Sequence, residues 1–333
     1  MVTAISRLCP SACVDVLIAA WNNANTIGRA VRSALSDDQV NRVIVIDDGS
    51  TDDTFLVVSS LREKVGDRIV LQRLDENKGP SAARNRGLEL STAPWIAILD
   101  GDDYFRPGRI RALLDASEGA DFVADDQIQV KEGEDDRSAL PSDCLVGHEN
   151  MITLDLATFV AKNISEGGRV RKELGFLKPM MRRSFLDLNE LRYLEELRLG
   201  EDFALYARAL AAGAIFRVIP SRTYISVIRS NSISGNHSKR DLECLRNSTR
   251  ALQQLPTLTK LERKLVRQHV ESIDARVQWL NIIEAVKMRS VAAFLSPFFI
   301  RWATSVYLMS CLLEQVVVRS RSRWIRFFRP IAP

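Results

Sequence analysis

The chain has 333 residues, long enough for one large domain or for one domain and an appendage. Apolar residues at 46% and charged residues at 26% are ordinary globular proportions, and a net charge of +4 is too small to argue for nucleic acid. Five cysteines (Cys9, Cys13, Cys144, Cys244, Cys311) give neither an even disulfide framework nor a complete zinc site, so free thiols in a reducing cytoplasm are expected.

The chain opens with one Arg and no sustained apolar run before Asp15, which argues against a signal peptide. Residues 14–20 read as the first core strand. Residues 26–35 read as an amphipathic helix, with Ile27, Ala30, Val31, Ala34 and Leu35 on one face. Residues 43–46, 68–74, 95–99 and 121–124 have the length and apolarity of further strands. Helices are predicted over 53–65, 81–90 and 107–116 between them. This alternation implies an α/β fold, a mostly parallel sheet with helices on both faces. Residues 129–149 are polar and acidic and read as a surface loop. Helices follow at 154–161, 182–190 and 201–212, and late strands at 216–219 and 224–228. Beyond Lys239 the pattern is helical only, with a break near Pro256. The predicted division is therefore 1–238 and 239–333.

Two of the strands end in acids. The run from Trp95 to Leu99 stops at Asp100-Gly101-Asp102-Asp103, and the run from Val43 to Ile46 stops at Asp47-Asp48-Gly49-Ser50-Thr51-Asp52. Carboxylates have no place inside a strand buried on both faces, so they emerge at its C-terminal end, the edge where open α/β sheets bind ligands. Three close acids repel one another unless a cation lies among them, and a Mg²⁺-like ion carrying a phosphate meets that need. A solvated turn capping the segment from Pro107 is the plain alternative. At Asp47 and Asp48 a carboxylate suits the imide of a uracil or a ribose hydroxyl, besides the capped turn that Gly49 to Asp52 forms in any case.

The first βα turn reads Ala20-Trp21-Asn22-Asn23-Ala24-Asn25, with no glycine until Gly28. That weakens a dinucleotide-binding oxidoreductase, and the absence of GxxxxGK[ST] weakens a P-loop NTPase. Without a glycine nest for phosphates, a metal at Asp100 and Asp102 is the remaining way to neutralise them.

Strand 1 with Asn22, the run Ile46 to Asp52, the run Asn77-Lys78-Gly79-Pro80-Ser81-Ala82-Ala83-Arg84-Asn85-Arg86-Gly87, Leu99 to Asp103, and Gly200-Glu201-Asp202 together resemble family 2 glycosyltransferases. The resemblance spans residues 13–235. It implies a GT-A fold and inverting transfer of a sugar from a nucleotide-sugar. It further implies that Asp48 contacts uracil and that the main chain of Ala19, Ala20 and Trp21 lines the base. Arg84 would lie near base and phosphates, or else serve as a structural partner for the strand-end acids. Asp100 would touch ribose or metal, Asp102 would ligate Mg²⁺ or Mn²⁺ through the diphosphate, and Asp103 is expected to cap the next segment. An inverting displacement needs a base opposite the leaving group, and an acid at a helix N-terminus is kept as the carboxylate by the helix dipole. The resemblance gives that role to Asp202 and the positioning of hydroxyls to Glu201; two N-cap acids are the plain alternative. Arg229 and His237 lie in a polar run that in similar enzymes closes over the diphosphate, Arg229 toward phosphates and His237 toward metal; a surface loop is the alternative.

Trp302, Val306, Met309, Leu313 and Val317 recur at helical spacing, a stripe expected to pack as core against the catalytic domain, while Arg301 and Glu314 keep the uncharged run too short for a bilayer. Arg319, Arg321, Arg323, Arg326 and Arg329 then interleave with Trp324, Phe327 and Phe328. Cations with interfacial aromatics suit the surface of an anionic membrane, and a homodimer interface is the competing reading. Nothing else in the chain reads nucleic acid. Within the family, a catalytic domain with a short basic helical tail resembles bacterial exopolysaccharide glucosyltransferases of the succinoglycan type. That implies UDP-glucose as donor, a lipid-linked oligosaccharide as acceptor, and a peripheral position on the cytoplasmic face of the inner membrane. A nucleotidyltransferase and a non-catalytic sugar-nucleotide-binding subunit of a polysaccharide complex are the rivals. The first lacks its Gly-rich basic loop here, and the second need not keep Asp102 and Asp202.

Overall fold

The computed structural model describes residues 13–134, 136, 146–147, 149–164, 173–228 and 237–327, with side chains described throughout these ranges except at 303 and 316–327. In chain order the elements are β1 (Val14–Ala20), α1 (Ile27–Leu35), β2 (Val40–Asp47), α2 (Thr54–Val65), β3 (Ile69–Arg73), α3 (Pro80–Leu90), β4 (Trp95–Asp100), β5 (Tyr104–Phe105), α4 (Arg109–Asp115), β6 (Phe122–Lys131), β7 (Ile152–Leu154) and α5 (Leu156–Lys162). They continue as β8 (Met180–Arg182), α6 (Arg183–Leu188), α7 (Glu201–Ala211), β9 (Phe216–Ile228), α8 (Lys239–Gln253), α9 (Lys260–Lys287), α10 (Val291–Leu295) and α11 (Trp302–Phe327).

One sheet runs β3-β2-β1-β4-β8-β6-β9-β5, with β7 also paired to β9. β3, β2, β1 and β4 are mutually parallel; the near-continuous apolar runs of β1, β2 and β4 bury both faces, as parallel strands require, while β3 is a half-buried edge strand. The mostly parallel sheet expected from the alternation is present. Helices cover both faces: one apolar cluster joins α1 and α4 to the sheet, and the other joins it to α3, α5 and α7.

Short strands escaped the pattern. β8 has three residues, below the length at which periodicity registers, yet it runs antiparallel between β4 and β6. β6 extends through residues 129–131, which read as the start of a polar loop. The two late strands are one, β9; Pro220 falls where the β6–β9 register is irregular, so its missing N–H interrupts no regular ladder.

After Pro256 the chain restarts as α9 behind a capping box of Thr259 and Glu262, matching the box of Ser238 and Asp241 that opens α8. Leu242, Leu245, Val266, Ile273 and Val277 of these two helices lie in the same apolar cluster as Phe122, Phe203 and Phe216. The helical extension and the sheet thus share one core.

Candidate active site

The order β2-β1-β4 places a topological switch point at the C-terminal edge of β1, where α/β sheets leave a crevice. Register fixes what meets there. Ala19 pairs with Asp100 and Ile46, and Ala20 pairs with Asp47. The two acidic strand ends and the end of β1 therefore share one edge. They line a cavity of about 1430 Å³ together with Asn22, Asp48, Arg84, Asp102, Glu201, Asp202 and His237. A single small-molecule pocket takes roughly 300–1,000 Å³, so this space exceeds what one small molecule fills.

On the β2 side, Asp48 accepts hydrogen bonds from the Lys78 and Gly79 amides at 2.8 Å each and so holds the turn into α3. Burial nonetheless pushes its carboxyl above the ordinary value. Asp47 accepts from the Ser50 amide at 3.0 Å and pairs with Arg73 at 3.4 Å. Asn22 has a left-handed φ of 53° and ties the first turn to the second: its Oδ1 accepts from the Thr51 amide and its own amide donates to Ser50 Oγ. Gly101 comes so close to Asn23 that a Cβ there would lie 2.8 Å from Asn23 Oδ1.

The centre of the cavity is a charged cluster. Pro80 at the first position of α3 starts a helix that carries Arg84 one turn on. Arg84 Nη2 donates to Asp100 Oδ1 at 2.8 Å, and Nη1 donates to Glu201 at 2.7 Å and lies 3.5 Å from Asp202 Oδ1. Lys178 Nζ reaches the other side of the same acids, 2.9 Å from Asp100 Oδ2 and 2.6 Å from Asp202 Oδ2. Burial alone would raise the Asp100 carboxyl, but Lys178 and then Arg84 hold it well below the usual carboxylate range. Burial and the neighbouring Asp202 raise Glu201. Asp202 Oδ1 is buried and has no hydrogen-bond partner among the described residues. Glu201 and Asp202 sit in the first turn of α7, where the helix dipole favours negative charge.

Lys178 was not legible as a site residue: it stands alone in an irregular segment with no motif. The topology explains its place. Because β8 is antiparallel to β4 with Met180 opposite Ala97, the chain just before β8 lies at the acidic end of β4. Arg84 does make the ion pairs with strand-end acids that its plain alternative foresaw. Asp103 differs from expectation. It caps nothing, since α4 begins at Arg109 behind Gly108. It is buried, accepting from Tyr224 Oη at 2.7 Å and the Val227 amide at 2.8 Å, and burial with the nearby Asp100 charge pushes it up to about 7. Arg229 lies outside the described residues.

Both oxygens of Asp100 are held by cations, and Asp102 and His237, to which the resemblance assigns a metal, both line the cavity. Among the described residues there is no cluster of three or more His, Cys, Asp or Glu able to hold an ion. A carboxylate and an imidazole are too few for a protein-only site.

The far wall of the cavity comes from the helical extension. Gln268, Ser272 and Arg276 of α9 and Thr304 and Tyr307 of α11 line it, with Arg301 between. His269 packs its ring 4.3 Å from that of Phe203, next to Asp202; burial, then Arg276, lowers it to about 4, so it is neutral at ordinary pH.

An open α/β sheet with two acidic strand ends at its switch point defines a ligand-binding crevice of the α/β type. The chain belongs to glycosyl transferase family 2, whose model matches residues 15–185. It is 44% identical over 278 residues to the succinoglycan biosynthesis protein ExoU of Rhizobium meliloti (strain 1021), covering 81% of this chain and 78% of that one. It is 33% identical over 295 residues to ExoO of the same organism, covering 86% and 83%. Among solved structures, S. aureus TarS 1-349 in complex with UDP-GlcNAc superposes with a TM-score of 0.61 at 16% identity, covering 84% of this chain and 89% of TarS. That likeness, with the sheet and the helical extension described above, bears out the GT-A fold expected from the motifs.

Proposed function

We propose that this family 2 glycosyltransferase moves a hexose, with glucose from UDP-glucose as the leading donor, to a lipid-linked oligosaccharide in exopolysaccharide synthesis. The observation that carries the reading is Asp202: it opens α7 at the cavity, with Oδ2 fixed by Lys178 and Oδ1 without a hydrogen bond. In the proposed reaction Oδ1 takes the proton of an acceptor hydroxyl. The hydroxyl oxygen bonds to the anomeric carbon as the bond to the diphosphate oxygen breaks, and UDP leaves with that electron pair. The sugar inverts.

Ala19, Ala20, Asn22 and Asp48 are assigned to the nucleoside, and Asp100 to the ribose side of the same edge. Lys178 and Arg84 are the cations closest to Asp202, and a donor diphosphate competes for both. Asp102 and His237 would hold a Mg²⁺ or Mn²⁺ ion, which would neutralise the departing diphosphate. Glu201, paired with Arg84, positions hydroxyls, and Arg229 is assigned to the phosphates.

The names of ExoU and ExoO support exopolysaccharide synthesis, and the UDP-GlcNAc complex of TarS supports a UDP-sugar donor. Among the described residues no helix is long and apolar enough to cross a membrane. A peripheral position on the cytoplasmic membrane face, held by the arginine-rich tail, completes the reading. A panel of nucleotide-sugars assayed with Mg²⁺ and with Mn²⁺ tests it. UDP release from UDP-glucose above all others is expected; a panel in which no nucleotide-sugar is cleaved would favour the non-catalytic subunit.

A further inference from the structure

More than half of the exposed large apolar side chains among the described residues fall between residues 283 and 313, on the end of α9, on α10 and on α11. Phe299 and Trp302 are each 84% exposed. On α11 the two faces are distinct. Thr304 and Leu308 are buried against the rest of the molecule, while Trp302, Val306, Met309 and Leu313, expected to pack as core, instead form an exposed stripe about three turns long. An apolar stripe turned toward water, on a helix whose other face already packs, marks an interaction surface.

Charge says what kind. Within 283–313 three cations, Lys287, Arg289 and Arg301, stand against one acid, Glu284, with Arg301 ion-paired to Glu271, and the sequence beyond adds five arginines against Glu314. Lys287, Arg289 and Arg301 stand among the exposed apolar residues themselves. A second copy of this chain would bring the same basic surface against itself, since a two-fold contact sets like against like. An anionic bilayer meets both requirements at once, taking the apolar side chains into the acyl boundary and the cations among its headgroups. The position of the patch also matters. Arg301 lines the cavity, and its chain neighbours Ile300 and Trp302 are exposed.

We infer that residues 283–313 form a membrane-bedding surface beside the mouth of the cavity, so that an acceptor saccharide enters from the bilayer plane past Arg301 and Tyr307. The inference rests on the lipid-linked acceptor proposed above and moves the principal contact from the tail at 319–333 to the apolar surface preceding it.

The test uses the full chain and sucrose-loaded vesicles of phosphatidylcholine with phosphatidylglycerol. The wild type is expected to sediment with anionic vesicles. Phe299→Ser/Trp302→Ser, which alters two exposed side chains, should weaken partition by about tenfold or more, from the loss of two buried aromatic contacts. It should release UDP from UDP-glucose as the wild type does. Removal of residues 319–333 should weaken partition less. Equal sedimentation of the double variant and the wild type would overturn the inference. So would a wild-type dimer that the double variant dissociates, because the stripe would then be a subunit interface. Loss of binding on tail removal alone leaves the peripheral reading intact and sinks only the apolar surface. Failure of the wild type to bind any vesicle sinks both, while UDP release judges the enzymatic reading separately.

Discussion

Lys178 has two carboxylates within 2.9 Å and lies in a buried cluster where three acids face two cations. Burial would lower its ammonium, but Asp100 and Asp202 more than reverse that and keep it charged. Removing one partner from such a cluster leaves buried charge uncompensated, at a cost of about 3–5 kcal/mol. Lys178→Met should therefore lower stability by roughly 3 kcal/mol in urea unfolding and reduce UDP release on the order of a hundredfold, as loss of a transition-state donor does. Unchanged unfolding with unchanged release would remove Lys178 from the site. Asp48, Asp100 and Asp102 were legible because they follow apolar runs, where a carboxylate has only the sheet edge to go to, whereas Glu201 and Asp202, at the start of α7, were assigned by the resemblance. Lys178 and Asp103 were not. A lone lysine carries no pattern, and the burial of Asp103 depends on Tyr224 and Val227, more than a hundred residues away.

At the scale of elements, β1, β2 and β4 could be read because a strand buried on both faces is an uninterrupted apolar run. β5, β7 and β8 have two or three residues each, so their existence is decided by the neighbours they pair with. The start of α7 is set in the same way, by Gly200. Its φ is +70°, and a Cβ would lie 2.7 Å from Leu245 Cδ1 of α8. Gly200→Ala thus meets two penalties, about 1–2 kcal/mol for the left-handed backbone and about 1–3 kcal/mol for overpacking. It should also displace Glu201 and Asp202 and lower turnover. Gly108→Ala, with φ +81° and nothing within 4 Å, meets only the backbone penalty and should leave turnover alone. Thermal unfolding and UDP release on the two variants check this, and equal losses of activity would refute the role given to Leu245.

Across the whole molecule, the change of pattern after Lys239 was visible in the sequence, but the packing of that region was not. Periodicity identifies an apolar face without naming its partner. Here Leu242, Leu245, Leu252, Leu258, Val266, Ile273 and Val277 are buried in the core cluster that holds Phe203 and Phe216. Each contributes about 1.5–3 kcal/mol by burial, so their loss is comparable with the whole typical net stability of about 5–15 kcal/mol. A chain ending at residue 238 should fail to unfold cooperatively in urea; a sharp transition would contradict a shared core. Gln268, Ser272 and Arg276 of α9, with Thr304 and Tyr307 of α11, line the same cavity as Asp48 and Asp202.

The most direct measurement is the Asp202→Asn variant, which keeps the shape of the side chain and an oxygen for Lys178 while removing the proton acceptor. Sugar transfer should fall by about a thousandfold or more, within the range that a general base supplies, while the dissociation constant for UDP-sugar stays within a few-fold of wild type. Turnover equal to wild type would contradict the account.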